Sequence, residues 1–465
     1  MKQTHTQVSL RFSMGMFAEL RGRLLEDLGK EAFGFLFGRM EMIGNNSIIK
    51  IVDARFPRPE DYESRGRTHL GIKRQYIYRL LVEMQQRGDV DTVIDVHTHP
   101  FCKRGVAFSG VDDRDEIAFH RWLTDILDDI HYASIVLSQS DYSARLWKLQ
   151  DDRSVAIPAT ITTQTVAEYW PSVDEKDFAD TEVLEAADPQ NGFLARSALA
   201  LGMDTLRQIM RGQSVAIVGV GGLGSVIAEN LIHMGFNDLH LIDPDQVEIT
   251  NLNRIVGAYY DDAQEHRLKA VVVKNHLQRI NPKASITTHP VAVEHESVLS
   301  VLADADWIIV ATDSHSSRFT AQQIALRYAV PLISAGVNIS VKDGKITDMS
   351  GEVVVARYGD RLCLNCLGRI NPTKVAAEQH KGEFIGEELI RRGYVSGQAV
   401  KEPAVKTLNA ILGAMAVDIL LNQYTERQAH QPISVFENNA HACIGPDHDS
   451  LRDRQFDCFH CGGIL

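Results

Sequence analysis

The stretch Ser214-Val-Ala-Ile-Val-Gly219-Val-Gly-Gly-Leu-Gly224-Ser-Val-Ile-Ala-Glu-Asn230 decides the fold. Ser214 to Val218 is a short apolar run, the pattern of a strand buried on both faces. A glycine-rich turn follows, and the sequence predicts a helix from about Ser225 to Met234 and a second strand at His240 to Ile242. Strand, turn, helix and strand form a β-α-β unit, which implies a parallel sheet with a right-handed crossover. Gly219, Gly221, Gly222 and Gly224 allow the tight turn and let backbone N–H groups approach phosphate closely. Asp243 ends the next strand, where an acid meets ribose hydroxyls. The glycine motif by itself fits a nicotinamide dinucleotide site equally well.

Outward from this unit, Trp307 to Val310 and Pro331 to Ser334 read as further buried strands, and Phe193 to Met210 and Val405 to Leu421 as helical. Upstream, Ile72, Tyr76, Leu80 and Met84 mark one face of an amphipathic helix that Gly88 stops. Thr92 to Val96, Tyr132 to Leu137 and Tyr142 to Trp147 read as strands. Between Pro171 and Pro189 lie Asp174, Glu175, Asp177, Asp180, Glu182, Glu185 and Asp188, a like-charged run typical of a solvated linker. The expected organisation is α/β throughout: a domain at residues 1–150, an acidic linker at 151–190, and a doubly wound Rossmann-like domain at 191–465.

A net charge of -13 argues against a nucleic-acid or anionic-membrane surface, both of which need clustered positive charge. The apolar stretch near Ala410 to Leu421 contains Asp418 and is too short to span a bilayer. Six cysteines in 465 residues are too few for a disulfide scaffold. The expectation is a cytoplasmic protein.

His97-Thr98-His99-Pro100 follows the strand at Thr92, and residues two apart on a strand share a face. Both imidazoles can therefore reach one ion, and Asp112, in Ser109-Gly-Val-Asp112, can add an oxygen. Two imidazoles and a carboxylate suit zinc with one position left for water, whose pKa zinc lowers towards about 7. Ser109-x-x-Asp112 is equally a helix capping box, and most isolated His-x-His pairs bind nothing. Glu31 opens the apolar segment Glu31-Ala-Phe-Gly34. Taken in order, these pieces resemble the JAB/MPN (JAMM) metallopeptidases, over about residues 8–148. The resemblance implies a cytidine-deaminase-like α/β domain in which His97, His99 and Asp112 bind zinc, Glu31 is the general base and Ser109 steadies the oxyanion. The loop from His99 to Ser109 is longer than the family's commonest form, which implies a reshaped substrate groove.

After Asp243 come Asn251-Leu-Asn253-Arg254, Lys269 and then Ala311-Thr312-Asp313 behind a strand. A dehydrogenase does not need this set, whereas adenylation does. When a carboxylate attacks the α-phosphate of ATP, charge builds on the phosphoryl oxygens and on pyrophosphate. Arg254 and Lys269 can offset that charge, and Asp313 can hold Mg2+. The ordered set resembles the ThiF-type adenylyltransferases, a family that includes ubiquitin-activating enzymes, from about Phe193 onward. By that resemblance Arg196 is contributed to the partner subunit's ATP site, so a homodimer is implied, and Glu402 to Asn409 restarts the fold after a crossover loop. Lys269 lies slightly further from Arg254 than the family leads one to expect, and Arg267 is the substitute. Cys363-x-x-Cys366 and Cys458-x-x-Cys461 complete a four-thiolate set suited to structural zinc.

Residues 367–402 contain no cysteine, which argues against a conventional thioester there. Cys443 reads as a small buried residue. Either the acyl-adenylate is handed directly to another protein or to sulfur, or an unusual nucleophile serves, for which Ser396 lies in the right region. The expected function is bifunctional action on the carboxyl end of a ubiquitin-like protein. A zinc (iso)peptidase exposes the terminus, and ATP-dependent adenylation then activates it for conjugation, with a conjugating enzyme as a further expected partner. The alternative partner is a sulfur-carrier protein of cofactor or cysteine synthesis.

Overall fold

A computed structural model describes residues 7–102, 105–165, 168, 181–211, 213–380, 403–439, 441–455 and 457–461. It divides into two compact units, Met1–Ala179 and Asp180–Leu465.

The first unit is built on one mixed sheet. Its strands are β1 (Val8–Arg11), β2 (Phe33–Ile43), β3 (Asn46–Arg55), β6 (Thr92–Thr98), β7 (His131–Leu137), β8 (Tyr142–Gln150), β9 (Arg153–Pro158) and β10 (Thr160–Thr162), in the order β10-β1-β3-β2-β6-β7-β8-β9. A separate hairpin pairs β4 (Tyr62–Arg65) with β5 (Leu70–Ile72). Alternation along the strands gives the sheet two apolar faces. Leu36, Ile49, Ile94, Val96 and Ile135 pack with Phe17, Leu20 and Leu24 of helix α1 (Met16–Leu24). Phe35, Phe37, Val93 and Tyr132 pack with Tyr76, Leu80 and Met84 of α2 (Arg74–Gln85) and Leu123 of α3 (Gly110–Ile126). The linker expected from residue 151 therefore starts too early, because β9 and β10 complete this sheet. Their short, weakly alternating sequences carry little strand signal, and pairing with β8 and β1 supplies the rest.

The second unit begins with α4 (Thr181–Ala186), α5 (Ala195–Leu201) and α6 (Met203–Met210). Gly202, at φ 84°, breaks the helical run expected over Phe193 to Met210 into α5 and α6. The sheet follows, with β11 (Ser214–Val218), β12 (Asp238–Ile242), β13 (Ser285–His289), β14 (Trp307–Val310), β15 (Leu332–Lys342), β16 (Lys345–Ala356), β17 (Ile433–Asn438) and β18 (Ala442–Pro446), in the order β13-β12-β11-β14-β15-β16-β17-β18. The first five in that order are parallel, and the rest are antiparallel. Around it run α7 (Gly222–Met234), α8 (Tyr260–Gln264), α9 (Lys269–Ile280), α10 (Glu296–Asp304), α11 (His315–Tyr328) and α12 (Pro372–Gln379), followed by the long helix Lys406–Thr425. That last helix presses on α7 so closely that a β-carbon on Gly413 would lie 2.6 Å from Val226 Cγ1.

The turn after β11 is set by sterics. Gly219 has φ 86°, and a β-carbon on Gly224 would fall inside the Gly219 carbonyl oxygen. Gly224→Ala is expected to destabilise the second unit by about 3 kcal/mol. Denaturant titration followed on that unit checks this, and an unchanged midpoint would contradict the steric argument.

Candidate functional sites

In the second unit β11, β12 and β14 end at one edge of the sheet. Their following loops wall a cavity of about 1260 Å³. It is lined by Gly219, Gly221, Gly222, Asp243, Asn251, Arg254, Lys269 and Asp313, so the residues expected to bind nucleotide within this chain share one space except Gly224, which lies behind the turn and is not in the lining. Nothing lies within 4 Å of the point a β-carbon on Gly221 would occupy, whereas one on Gly222 would meet Arg254 Cδ at 2.8 Å. The α7 amino terminus thus opens into the cavity, a backbone cradle of the kind that takes phosphate.

The acids and cations are held by the backbone around them. Buried Asp243 accepts from Val220 N at 2.8 Å and Asp245 N at 2.9 Å. Burial raises its carboxyl above the usual range, and Lys269 and those two N–H groups oppose the rise. Lys269 Nζ sits 2.8 Å from Asp245 Oδ2. Arg254 Nη1 donates to Thr250 O at 2.8 Å and to Asn253 Oδ1 at 3.0 Å. Asn251, in turn, is buried and caps its own turn. Asp313, just beyond β14, is exposed at the wall.

Arg267 does not line the cavity; it pairs with Asp262 at 2.9 Å and Glu265 at 2.6 Å, so the proposed substitution for Lys269 is not needed. Arg196, on α5, is exposed and is not part of the lining. Ser396 and Glu402 lie outside the described residues. Among the lining residues that the sequence did not mark as part of the site are Arg318 and Asn409, beside Gln246, Glu248, Thr250 and His266. Arg318 Nε donates to Thr312 O at 2.9 Å, and Asn409 is buried beside Gly222. The spacing of Arg318 from Asp313, one turn into α11, was the available signal.

A family profile described as ThiF family matches residues 194–443, more than half of the chain. The chain belongs to the ThiF family. Among its curated relatives, the adenylyltransferase and sulfurtransferase UBA4 of Meyerozyma guilliermondii is 30% identical over 150 residues, covering 32% of this chain and 33% of that one. The adenylyltransferase and sulfurtransferase MOCS3 of Aedes aegypti is 26% identical over 252 residues, 54% of this chain and 51% of the relative. The sulfur carrier protein adenylyltransferase of Thermus thermophilus is 30% identical over 145 residues, 31% and 49%. The ThiF chain thus matches between about a third and a half of the length of these relatives.

Four of the five thiols of the ThiF unit converge. Cys363 Sγ lies 3.7 Å from Cys458 Sγ, and Cys461 Sγ lies 3.9 Å from Cys366 Sγ. Disulfide sulfurs would be about 2 Å apart. Four sulfurs about 2.3 Å from one tetrahedral zinc would be roughly 3.8 Å apart, so the donor set fits zinc. Cys443 was expected to be buried; it is exposed, because β18 is the sheet's last strand and pairs only with β17.

The first unit gathers its own constellation. His97 Nε2 is 3.5 Å from Asp112 Oδ1, and His99 Nε2 is 3.7 Å from Asp112 Oδ2. These gaps are too long for hydrogen bonds and close to the roughly 3.4 Å edge of a tetrahedral zinc site. His97 Nε2 is buried without a hydrogen-bond partner, as a nitrogen waiting for a metal would be. Burial alone would lower His97, but Asp112, Asp95 and Glu116 raise it, while burial and His97 lower His99. Glu31 is buried where Ala32 is bonded to Thr98, with Ala32 N donating to Thr98 Oγ1 at 2.8 Å and Thr98 N to Ala32 O at 3.1 Å. Its carboxyl is raised, mainly by burial. Ser109 caps α3, accepting from Asp112 N at 3.2 Å, so the capping box forms and leaves the exposed hydroxyl's proton available. Asp141 steadies the loop after His99 by accepting from Gly105 N at 2.8 Å.

Purified protein is expected to carry about two equivalents of zinc per chain. Cys363→Ser should lose one and Asp112→Ala the other, as read by elemental analysis. Retention of both ions in either variant would contradict the corresponding site.

Proposed function

We propose that the ThiF unit adenylates the carboxyl terminus of a small sulfur-carrier or ubiquitin-like protein, and that the first unit is a JAB/MPN-type zinc peptidase that frees such a terminus. The observation that carries the first part is the single cavity where a glycine cradle, an acid for ribose, the cations Arg254, Lys269 and Arg318, and the exposed carboxylate of Asp313 meet. Its volume of about 1260 Å³ exceeds the ~300–1,000 Å³ of ordinary small-ligand clefts, leaving room for a second reactant beside a nucleotide.

In this reading Gly219 to Gly224 hold the phosphates and Asp243 the ribose. The terminal carboxylate of the carrier attacks the α-phosphate, a new P–O bond forms, and the bond to pyrophosphate breaks. Arg254 and Lys269 offset the charge that develops, with phosphate oxygens taking the place of Asp245 on Lys269. Asp313 and Asn251 face the phosphates, and Asp313 would hold Mg2+, which supplies further charge neutralisation. Arg196 would complete the site of a partner subunit, a role in keeping with its exposure outside its own chain's cavity. Cys363, Cys366, Cys458 and Cys461 would hold a structural zinc. The acyl-adenylate then passes directly to sulfur or to another protein.

The curated relatives named for sulfurtransferase or sulfur-carrier activity favour a sulfur carrier as the substrate. Conjugation to other proteins is the second reading, motivated by the first unit, since a peptidase can also release conjugates. There His97, His99 and Asp112 would hold zinc, which would supply Lewis acidity to water and carbonyl oxygen. Glu31, its carboxyl raised by burial, would take a proton from the attacking water, and Ser109 would donate to the developing oxyanion.

Glu31→Ala is expected to reduce cleavage of a carrier with a carboxyl-terminal extension at least about 100-fold while sparing ATP–pyrophosphate exchange. Asp313→Ala is expected to reduce exchange about 100-fold and spare cleavage. Loss of both activities in both folded variants would overturn the two-site reading.

A further inference from the structure

Behind the paired imidazoles lies a second polar layer that the zinc reading does not use. Asp95 precedes His97 by two residues on β6, and Glu116 follows Asp112 by one turn on α3, so the strand and the helix each carry a second acid on the face that carries their ligand. Ligand atoms of Asp95, His97 and Glu116 all lie within 4.8 Å of one another. Asp95 Oδ1 and Glu116 Oε1 are buried without hydrogen-bond partners.

The other oxygens of the two acids are firmly held. Tyr132 OH donates to Asp95 Oδ2 at 2.7 Å. Glu116 Oε2 accepts from Arg145 Nε at 2.9 Å, from Trp147 Nε1 at 2.7 Å and from the Ser134 hydroxyl. Such a network costs desolvation of two carboxylates, and Arg145 is shared with Asp113 at 2.6 Å, so it offsets only part of their charge. Each acid therefore stands near His97 with one oxygen unpartnered.

We infer that Asp95, fixed by Tyr132 and backed by Glu116, is a positioning residue for His97: a buried carboxyl group within 4.8 Å of the imidazole that strengthens that ring's hold on a metal cation. This rests on the zinc reading of His97, His99 and Asp112. An acid this close to a ligating imidazole favours the cation electrostatically, and loss of an outer partner of a metal-binding histidine costs about 10–100-fold in metal affinity. A network that served packing alone would leave that affinity unchanged.

The test uses the full chain stripped of metal at the imidazole site, with zinc titrated against a chelating dye, and Asp112→Ala subtracted as the site-free reference. Asp95→Asn is expected to weaken zinc about 10–100-fold and Tyr132→Phe by a smaller factor, with the unfolding midpoint of the metal-free protein nearly unchanged. Tyr132→Phe keeps both acids and decides the matter if Asp95→Asn fails to fold. Unaltered zinc affinity in the folded variants would overturn the inference while leaving the metal site intact. Wild-type protein that binds no more zinc than Asp112→Ala would overturn the metal site itself and the inference with it.

Discussion

The close approach of two backbone segments, Gly219 against Gly224, fixes the geometry of the nucleotide cavity. Only hydrogen at Gly224 lets the first turn of α7 sit on the carbonyl of Gly219, and only hydrogen at Gly222 leaves space for the Arg254 stem. This contact aims the helix amino terminus into the cavity. It also places Val220 N where it binds Asp243, the acid at the end of the neighbouring strand. From Asp243 the order propagates: Asp245 is bonded to it, Lys269 to Asp245, and the turn carrying Asn251 and Arg254 closes the side. One short loop therefore organises groups drawn from about a hundred residues of chain.

The first unit solves a different problem, holding several acids near two histidines in a largely apolar setting. A strand and a helix each present ligands at their own period, two residues apart on β6 and one turn apart on α3. The result is a cluster of three acids around His97, namely Asp95, Asp112 and Glu116, with Arg145 paired to Glu116. A buried site with that balance is suited to a cation. The spacing of the imidazole nitrogens from Asp112 and the unpartnered His97 Nε2 point the same way.

What could be read from the sequence follows from where each signal resides. The glycine turn, the His-x-His strand and the Cys-x-x-Cys pairs were legible because their chemistry is local in the chain. Val215 to Val218 and Trp307 to Val310 were legible as strands because both faces are buried and the sequence is uniformly apolar. The outer halves of β15 and β16, from Asn338 to Ser350, were not, because their apolar alternation, Ile339 and Val341, is short, Val341 and Ile346 stay exposed, and cross-strand pairing keeps them extended. β9 and β10 were lost in the same way. Asp95 and Glu116 escaped notice because a strand residue and a helix residue 21 positions apart meet only once α3 has packed on the sheet. Arg318 escaped because one arginine on a helix is ordinarily a surface residue. Cys443 misled because its burial depends on whether another strand follows β18 in the sheet.

The central claim is that a carrier's carboxylate oxygen becomes bonded to the α-phosphorus of ATP in the cavity of the ThiF unit. It is tested most directly with a candidate sulfur-carrier or ubiquitin-like protein bearing an 18O-labelled terminal carboxylate, incubated with the chain, ATP, Mg2+ and a thiol acceptor. The account expects the released AMP to carry one 18O, because the oxygen that attacked phosphorus leaves with it. AMP formed at the same rate without label would contradict the account.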